Sequence, residues 1–253
     1  MYNYLYLCKL IIVLMLVVYA NGVDAAVVAN KSRLVMPAKT LTSNVFINTL
    51  DITPSMVQVW VTQTHKIGDV DYQDDAPFFV SPPVFKLNNK QGQHVKIVYT
   101  GSDLPTDRES LFYFHFLVLP PLAQTEGELN NQLVITQKHT LKLFYRPEFS
   151  GYHIDDVVKH IKFSLNKQAD GSAALLLRNR SPFFVTIPKL TYSNTAKIKR
   201  DLVPKQMVAP WSSLSLPLHP QDQLAGSEIA FTLINDQGGQ NQFEAFVETE
   251  EAL

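Results

Sequence analysis

The chain has 253 residues, of which 46% are hydrophobic and 18% charged, with 15 prolines and 10 glycines. This length and apolar content suit one large or two medium globular domains with ample core. The formal net charge of -1 provides no basic excess for binding nucleic acid, and the sequence has no polybasic segment for a membrane surface.

The first 25 residues form a distinct segment. Lys9 precedes the apolar run LIIVLMLVVYA, and the small residues of VDA, which ends at Ala25, are typical of a leader-peptidase site. The run is shorter than the roughly 20 residues that a membrane-spanning helix needs, so a cleaved signal peptide over residues 1–25 is favoured over a membrane anchor. The only cysteine, Cys8, lies in this leader, so we expect an exported mature chain without disulfide or thiol chemistry.

After residue 25 the chain consists of short apolar or alternating runs that end in turn residues. They are rich in Val, Ile, Phe, Tyr and Thr, and no 12-residue segment keeps a helical period. The runs include NVFINTL, MVQVWVTQT, HVKIVYT, LFYFHFLVL, NQLVITQ, TLKLFY, HIKFSLN, AALLLRN and EIAFTLIND. This pattern predicts an all-β protein made of two antiparallel β-sandwiches of about 100 residues each.

A domain boundary is predicted after FYRPEFSGYH, where one strand ends at Pro147 and the next begins near Ile161. The predicted domains are residues 26–150 and 151–253. IDDVVK, residues 154–159, is expected to form one helical turn at the junction.

Motifs for catalysis are absent from the sequence, which has no G-x-S-x-G, no H-E-x-x-H and no Gly-rich phosphate loop. Two polar clusters are candidates for metal sites: His153, Asp155, Asp156 and His160, and Asp69, Asp71, Asp74 and Asp75. The first lacks tight ligand spacing and the second lacks the glycine and final glutamate of a calcium loop. A solvated linker and a polar hairpin loop are therefore favoured, and we expect no enzyme activity, metal or cofactor.

Three cations occupy strand positions where a charge is costly unless it is paired or faces solvent. Arg33 opens the first strand region, Lys142 lies between Leu141 and Leu143, and Arg146 ends the same strand. Any one of them alone is explained by a solvent-facing side chain. Together they allow a second interpretation, in which a cleft between the domains holds an anion such as a carboxylate.

The stretch LPTDRESLFYFHFLVLPP, followed by TLKLFYRP, resembles the signature region of the periplasmic pilus chaperones of the chaperone–usher pathway. PFFVSPPVFKLNNKQGQHVKIVYTG, LRNRSPFFVTIPKL, MVAPWSSLSLPL and FTLINDQGG resemble other parts of that family, in the expected order. The resemblance extends from Ala26 to about Val247. It implies two immunoglobulin-like domains in a boomerang arrangement with a cleft at the hinge.

The resemblance also implies an anchor for the C-terminal carboxylate of an unfolded pilus subunit. Arg33 and Lys142 match the basic pair that forms this anchor. With cleavage after Ala25, Arg33 is the eighth residue of the mature chain, which is its position in the family.

A second implication is strand donation. Leu133, Ile135 and Gln137 match the alternating residues that fill the groove a subunit leaves open because it lacks its final strand. Gln137 departs from the pattern, since an apolar residue is common there, and the register of this stretch is open. Lys142 has the opposite strand parity to Leu133 and Ile135, so the strand is expected to present different faces along its length.

Other matched residues have structural roles in the family. Glu109, Arg146 and Asp236 match a salt-bridge network that fixes the angle between the domains, and Pro82 matches a cis-proline.

The function predicted from these matches is that of a periplasmic chaperone. It binds and folds pilus subunits by donor-strand complementation, caps them against premature assembly and delivers them to an outer-membrane usher, without nucleic-acid binding or membrane insertion. Weak self-association through the exposed donor strand is a further expectation. The alternative is an exported β-sandwich that binds a ligand or carbohydrate, for which exposed aromatic residues are expected. Trp60 and Trp211 instead lie in strand contexts typical of a core.

Overall fold

The computed structural model describes residues 27–49, 53–64, 76–121, 133–167, 173–193, 198–204, 206–218 and 227–248. The predicted signal peptide and the Asp69–Asp75 cluster lie outside the described residues. Within the described ranges, no helix has the length and apolar character needed to cross a membrane.

The described residues of the N-terminal half form two sheets. Their strands are β1 (Val28–Ala29), β2 (Arg33–Pro37), β3 (Thr42–Asn48), β4 (Ser55–Thr62), β5 (Phe78–Ser81), β6 (Val84–Leu87), β7 (Gly92–Tyr99), β8 (Ser110–Leu119) and β9 (Gln137–Arg146). One sheet has the order β1-β3-β7-β5 and the other β2-β9-β8-β4-β6. Neighbouring strands pair antiparallel except β2 and β9, which are parallel.

Alternation along these strands builds the N-terminal core. On β8 every second residue, from Phe112 through Phe114 and Phe116 to Val118, points inward and is buried. They pack with buried residues from both sheets, including Leu34, Ile47, Val57, Ile97 and Leu143. Burying a large apolar side chain contributes roughly 1.5–3 kcal/mol, so this cluster is the main source of stability for the N-terminal half.

The C-terminal half begins with a 3-10 helix, Ile154–His160, in agreement with the helical turn predicted from the sequence. Its strands are β10 (Ile161–Lys167), β11 (Ala173–Asn179), β12 (Leu190–Ser193), β13 (Lys199–Leu202), β14 (Ser213–Pro217), β15 (Glu228–Ile234) and β16 (Gln240–Glu248). They follow the order β13-β12-β15-β16-β10-β11-β14. The parallel link between β10 and β16 spans only two residue pairs, so it joins two otherwise separate groups of strands.

Both groups of strands contribute to a second core. Phe163 of β10 and Phe231 of β15 meet edge to face, with ring centroids 5.1 Å apart. Around them lie other buried residues of the C-terminal half, including Leu175, Leu177, Tyr192, Ile229 and Val247. The two halves of the chain therefore have separate hydrophobic cores, as expected for two domains.

Candidate functional site

Arg33 and Lys142 stand side by side at the centre of the candidate site. They are paired residues in the parallel ladder between β2 and β9. Arg33 Nη1 donates a hydrogen bond to the carbonyl oxygen of Ile234, 3.3 Å away in the C-terminal half, while its buried Nε has no hydrogen-bond partner in the part of the chain that the structure describes. Within the described residues, neither cation is in salt-bridge contact with a carboxylate, so both retain capacity to bind an anion.

The environment of this pair disfavours positive charge. Burial lowers the pKa of Arg33, although Asp236 and Glu109 oppose that shift. Burial also lowers the pKa of Lys142, and the neighbouring Arg33 charge lowers it further. An anion placed between the two groups would relieve this repulsion and replace part of the lost hydration.

A cavity of about 370 Å³ lies between the two halves next to Arg33. Its lining combines charged and apolar groups: Arg33, Glu109, Arg146 and Asp236 on one hand, and Phe144, Val157, Val158, Phe184, Leu233 and Phe243 on the other. The guanidinium carbon of Arg33 is 5.9 Å from the ring centroid of Phe144. Lys142 is not part of this lining; it lies two residues before Phe144 on β9.

Arg146 connects the two halves of the molecule. Its Nε donates to Glu109 Oε1 at 2.5 Å, and Nη1 and Nη2 donate to the two carboxylate oxygens of Asp236 at 2.6 and 2.9 Å. Glu109 Oε2 accepts a hydrogen bond from the Phe184 amide at 2.7 Å. Glu109 and Arg146 belong to the N-terminal half and the other two groups to the C-terminal half, so these bonds cross the junction.

Glu109 is buried, Arg146 and Asp236 are partly buried, and both carboxylates of the network are hydrogen-bonded. The side chain of Glu109 is 1% exposed, against 16% for Arg146 and 26% for Asp236. Burial alone would lower the pKa of Arg146, but the bonds and charges of Asp236 and Glu109 outweigh it and raise the pKa. Burial raises the pKa of Glu109, and Arg146 and the Phe184 amide oppose that shift; both oxygens of Glu109 accept hydrogen bonds, as in an ionised carboxylate.

The predicted donor residues lie at the start of β9 and just before it. Leu133 and Ile135 are 89% and 69% exposed and precede the strand, in a segment without regular secondary structure. Of the three residues, only Gln137 belongs to β9, and it is exposed. In the described part of NQLVITQ, residues 133–137, only the last residue belongs to a strand, because β8 ends at Leu119 and has no residue to pair with Leu133 or Ile135.

β9 is paired on both sides only over residues 142–145, four of its ten residues. β8 pairs with residues 137–145, whereas β2 pairs with residues 142–146. In the described structure, residues 137–141 therefore have one free edge. An unpaired edge of this kind presents backbone N–H and C=O groups to another chain.

Alternation assigns the two sides of β9 to different surroundings. Leu143 is fully buried in the N-terminal core, and Gln137 shares its parity. Lys142 and Phe144 point the other way, where Phe144 meets Phe184 across the junction at 5.9 Å. The opposite parity of Lys142 and Gln137 thus corresponds to the two faces of β9, whereas Leu133 and Ile135 lie before the strand.

Trp211 contradicts the prediction of a core-like setting. It is 42% exposed, lies in a turn before β14, and has a positive φ of 56°. Its indole Nε1 donates to the carbonyl oxygen of Asp107 at 3.4 Å, and its ring meets Tyr152 edge-on. The apolar run around Trp211 suggested a strand, but Pro210 and the turn delay the strand to Ser213, so the side chain contacts the other half of the molecule instead. Trp60 does lie in a strand, β4, and is partly buried.

Pro82 lies between β5 and β6, and the Ser81–Pro82 peptide bond is cis.

Comparison with known proteins identifies the family. Residues 26–150 match the family model "Pili and flagellar-assembly chaperone, PapD N-terminal domain", and residues 156–245 match "Pili assembly chaperone PapD, C-terminal domain". The chaperone protein HifB of Haemophilus influenzae is 29% identical over 232 residues, which are 90% of this chain and 91% of HifB. The probable fimbrial chaperone ElfD of Escherichia coli O157:H7 is 30% identical over 195 residues, 76% of this chain and 74% of ElfD.

A solved structure agrees with these matches. The crystal structure of the YadV chaperone, whose sequence comes from Escherichia coli K12, superposes with a TM-score of 0.70 at 27% identity. The match covers 88% of this chain and 99% of YadV.

The chain therefore belongs to the PapD family of pilus-assembly chaperones. This family consists of periplasmic chaperones, and YadV and ElfD are described as probable fimbrial chaperones. The predicted all-β fold with two sandwich domains is confirmed, as is the predicted role in pilus assembly. The carbohydrate-binding alternative is not favoured.

Proposed function

We propose that this chain works in the periplasm after removal of residues 1–25 and donates a strand to pilus subunits. The domains would be residues 26–150 and 151–253; the two family models that support this division match residues 26–150 and 156–245. The chaperone lends residues 133–141 to a subunit that lacks its own final strand, holds the terminal carboxylate of that subunit with Arg33 and Lys142, and then passes the subunit to an outer-membrane usher.

One observation carries the proposal: the Arg33–Lys142 pair lies where the free edge of β9 begins. β2 covers β9 from residue 142 onward, and residues 137–141 are open. A chain that pairs with this edge therefore runs into β2 and into two unneutralised cations. A terminal carboxylate suits that position because it ends the chain and neutralises the charge.

The exposed apolar residues before β9 support the same interpretation. Leu133 and Ile135 would cost free energy as permanently exposed side chains on a solitary protein, but they gain burial when a partner covers them. An incomplete sandwich offers an apolar groove and unpaired backbone groups, both of which a lent strand satisfies. We further propose that the Glu109–Arg146–Asp236 network sets the angle between the domains and so the position of Arg33 relative to the second domain.

The first test is capture of a pilus subunit encoded next to the chaperone gene, measured by co-purification from periplasm. Wild type is compared with Arg33→Ala and Lys142→Ala, and with Lys96→Ala as a control, since Lys96 is an exposed strand lysine on the other sheet. Loss of one partner of a buried charged contact costs about 2–5 kcal/mol, so we expect the subunit to be recovered with wild type and the control only. Equal recovery with all four proteins contradicts the carboxylate anchor.

The second test examines strand donation. Leu133→Asp and Ile135→Asp are compared with Val134→Asp, whose side chain has the opposite parity and is 44% exposed. We expect the first two variants to remain folded and lose capture, and the control to retain it. Capture by Ile135→Asp at the wild-type level contradicts the proposed donor residues.

A further inference from the structure

A chain of hydrogen bonds crosses the outer face of the β2-β9-β8-β4-β6 sheet, next to residues 137–141 of β9. His115, on β8, is 2% exposed and lies opposite Thr140 of β9 and Trp60 of β4. Its Nε2 is 2.7 Å from Thr62 Oγ1, and its Nδ1 is 2.8 Å from Thr140 Oγ1. One side chain thus connects three adjacent strands.

The direction of these bonds follows from Thr62. Its hydroxyl donates its single hydrogen to the carbonyl oxygen of Thr64 at 2.8 Å, so Thr62 Oγ1 accepts from His115 Nε2–H. Neutral His115 then has a lone pair on Nδ1, which accepts the hydroxyl hydrogen of Thr140. Each donor of this chain of hydrogen bonds therefore has an acceptor: the Thr140 hydroxyl has His115 Nδ1, His115 Nε2–H has Thr62 Oγ1, and the Thr62 hydroxyl has the Thr64 carbonyl oxygen.

A second contact holds the same stretch of β9 on the same face. Lys138 lies over the Trp60 ring, with Nζ 5.5 Å from the centroid, and the Trp60 ring stacks on His115 at 5.2 Å. Lys138 and Thr140 share one parity, and Gln137 and Leu141 share the other. The contacts therefore lie on the side opposite the predicted donor row.

We infer that the Thr140–His115–Thr62 chain positions residues 137–141 of β9 for pairing with a subunit, an inference that rests on the proposed strand donation. Among the described residues, this half of β9 has a strand neighbour only in β8, so these backbone bonds restrain it on one edge alone. A strand already held extended loses less conformational entropy on binding. The contacts of Thr140 and Lys138 on the outer face hold the strand extended. They leave the free edge of β9 and the side chains of the predicted donor residues open to a partner.

The test separates positioning from general stabilisation by using paired substitutions. Thr140→Val keeps the shape of the side chain but leaves buried Nδ1 without a donor, which destabilises the fold. His115→Phe combined with Thr140→Val removes both partners of the Thr140–His115 bond, and Thr62 keeps its own donated bond to Thr64, so we expect the double change to be close to neutral for stability. Thr140→Ser keeps the hydroxyl and serves as the rescue variant.

Two measurements are made on the full chain: amide hydrogen exchange of the free chaperone and affinity for the pilus subunit encoded next to its gene. In the double variant we expect near-wild-type urea unfolding, faster exchange at the β8-bonded amides of residues 137–141, and affinity lower by roughly threefold to tenfold, the effect of one hydrogen bond. Thr140→Ser should keep both readouts at the wild-type level.

Wild-type exchange and wild-type affinity in the double variant overturn the inference, provided that Ile135→Asp loses capture in the same assay. Capture by Ile135→Asp at the wild-type level overturns strand donation itself and the positioning role with it. A second outcome also overturns the positioning role: Thr140→Val binds the subunit with lower affinity only to the extent that its global stability falls, and amide exchange at residues 137–141 is unchanged.

Discussion

Arg33 and Lys142 occupy the same rung of the β2–β9 ladder although they come from opposite ends of the N-terminal half. Parallel pairing brings their side chains to the same face of the sheet, and no described carboxylate forms a salt bridge with either. The juxtaposition of two half-buried cations is unfavourable in the free protein. It becomes favourable when an anion binds, so the site favours the bound state.

This relationship predicts how affinity for a carboxylate depends on pH. The pKa of Lys142 is lowered by burial and by Arg33, and a bound carboxylate would raise it again. Binding therefore takes up protons between the two pKa values, and affinity falls as pH rises through that range. We expect the Kd of a peptide from the carboxyl end of the pilus protein to be constant near neutral pH and to increase in the alkaline range, beginning below the ordinary lysine pKa of 10.5.

The measurement is a titration of peptide binding across that pH range. Lys142→Arg should move the loss of affinity to higher pH, because arginine keeps its charge. The same peptide with a C-terminal amide should bind weakly at every pH. Equal binding of the acid and amide peptides is incompatible with the anchor.

The network at the domain junction predicts a large effect of one conservative change. Arg146 and the Phe184 amide donate to different oxygens of Glu109, so in Glu109→Gln the amide NH2 faces one of these donors, and that buried donor loses its acceptor. Breaking a buried pair costs about 3–5 kcal/mol, and we expect about 3 kcal/mol in urea unfolding because one bond survives.

The matched control for that change is Glu148→Gln. Glu148 pairs with Lys39 at 3.0 Å, but both side chains are more than two-thirds exposed. Such pairs contribute about 0–1 kcal/mol. Solution scattering on Glu109→Gln should also report a changed angle between the domains; unchanged scattering together with unchanged stability would remove the assigned role.

Substitution of two apolar residues should affect different properties, the free energy of unfolding for one and capture of the pilus protein for the other. Phe114 is fully buried in the N-terminal core, so Phe114→Ala should cost about 3–5 kcal/mol of unfolding free energy. Leu133 is 89% exposed, so Leu133→Ala should change stability by less than about 0.5 kcal/mol while weakening capture of the pilus protein. A destabilised Leu133→Ala would mean that this residue packs on the free chaperone.

Export predicts a defined N-terminus. Mass spectrometry of the protein purified from periplasm should give a chain that begins at Ala26. A protein that retains residues 1–25 would contradict the predicted signal peptide.

Much of the architecture follows from sequence, because the alternation on β8 and the turn residues between runs are local signals. Strand ends are less predictable. β9 begins at Gln137 rather than several residues earlier, since pairing depends on where β8 ends and not on the composition of NQLVITQ. The prediction for Trp211 is wrong for a similar reason: an apolar neighbourhood in sequence does not show that a turn projects the side chain towards Asp107.

Some residues of the candidate site could likewise be predicted from the sequence, and others could not. The family resemblance groups Glu109, Arg146 and Asp236, and the structure brings them into contact; their role in setting the domain angle stays a prediction. The Phe184 amide could not be predicted because a backbone donor has no sequence signature. The role of His115 escaped prediction because its partners lie on two other strands, and only the strand register reveals that Thr62 and Thr140 flank it.

β9 has no freedom to slide along its neighbours. It is paired with β2 and β8 at once, and Arg146 at its end is bound to both Glu109 and Asp236. A shift of one residue would turn Lys142 towards the core and Leu143 into the cleft. Under the proposed strand donation, a subunit chain must therefore adopt the spacing that β9 already has, counted from the Arg33–Lys142 rung. The number of residues between a partner's terminal carboxylate and its apolar side chains then becomes a criterion of selection in its own right, separate from the chemical nature of those side chains.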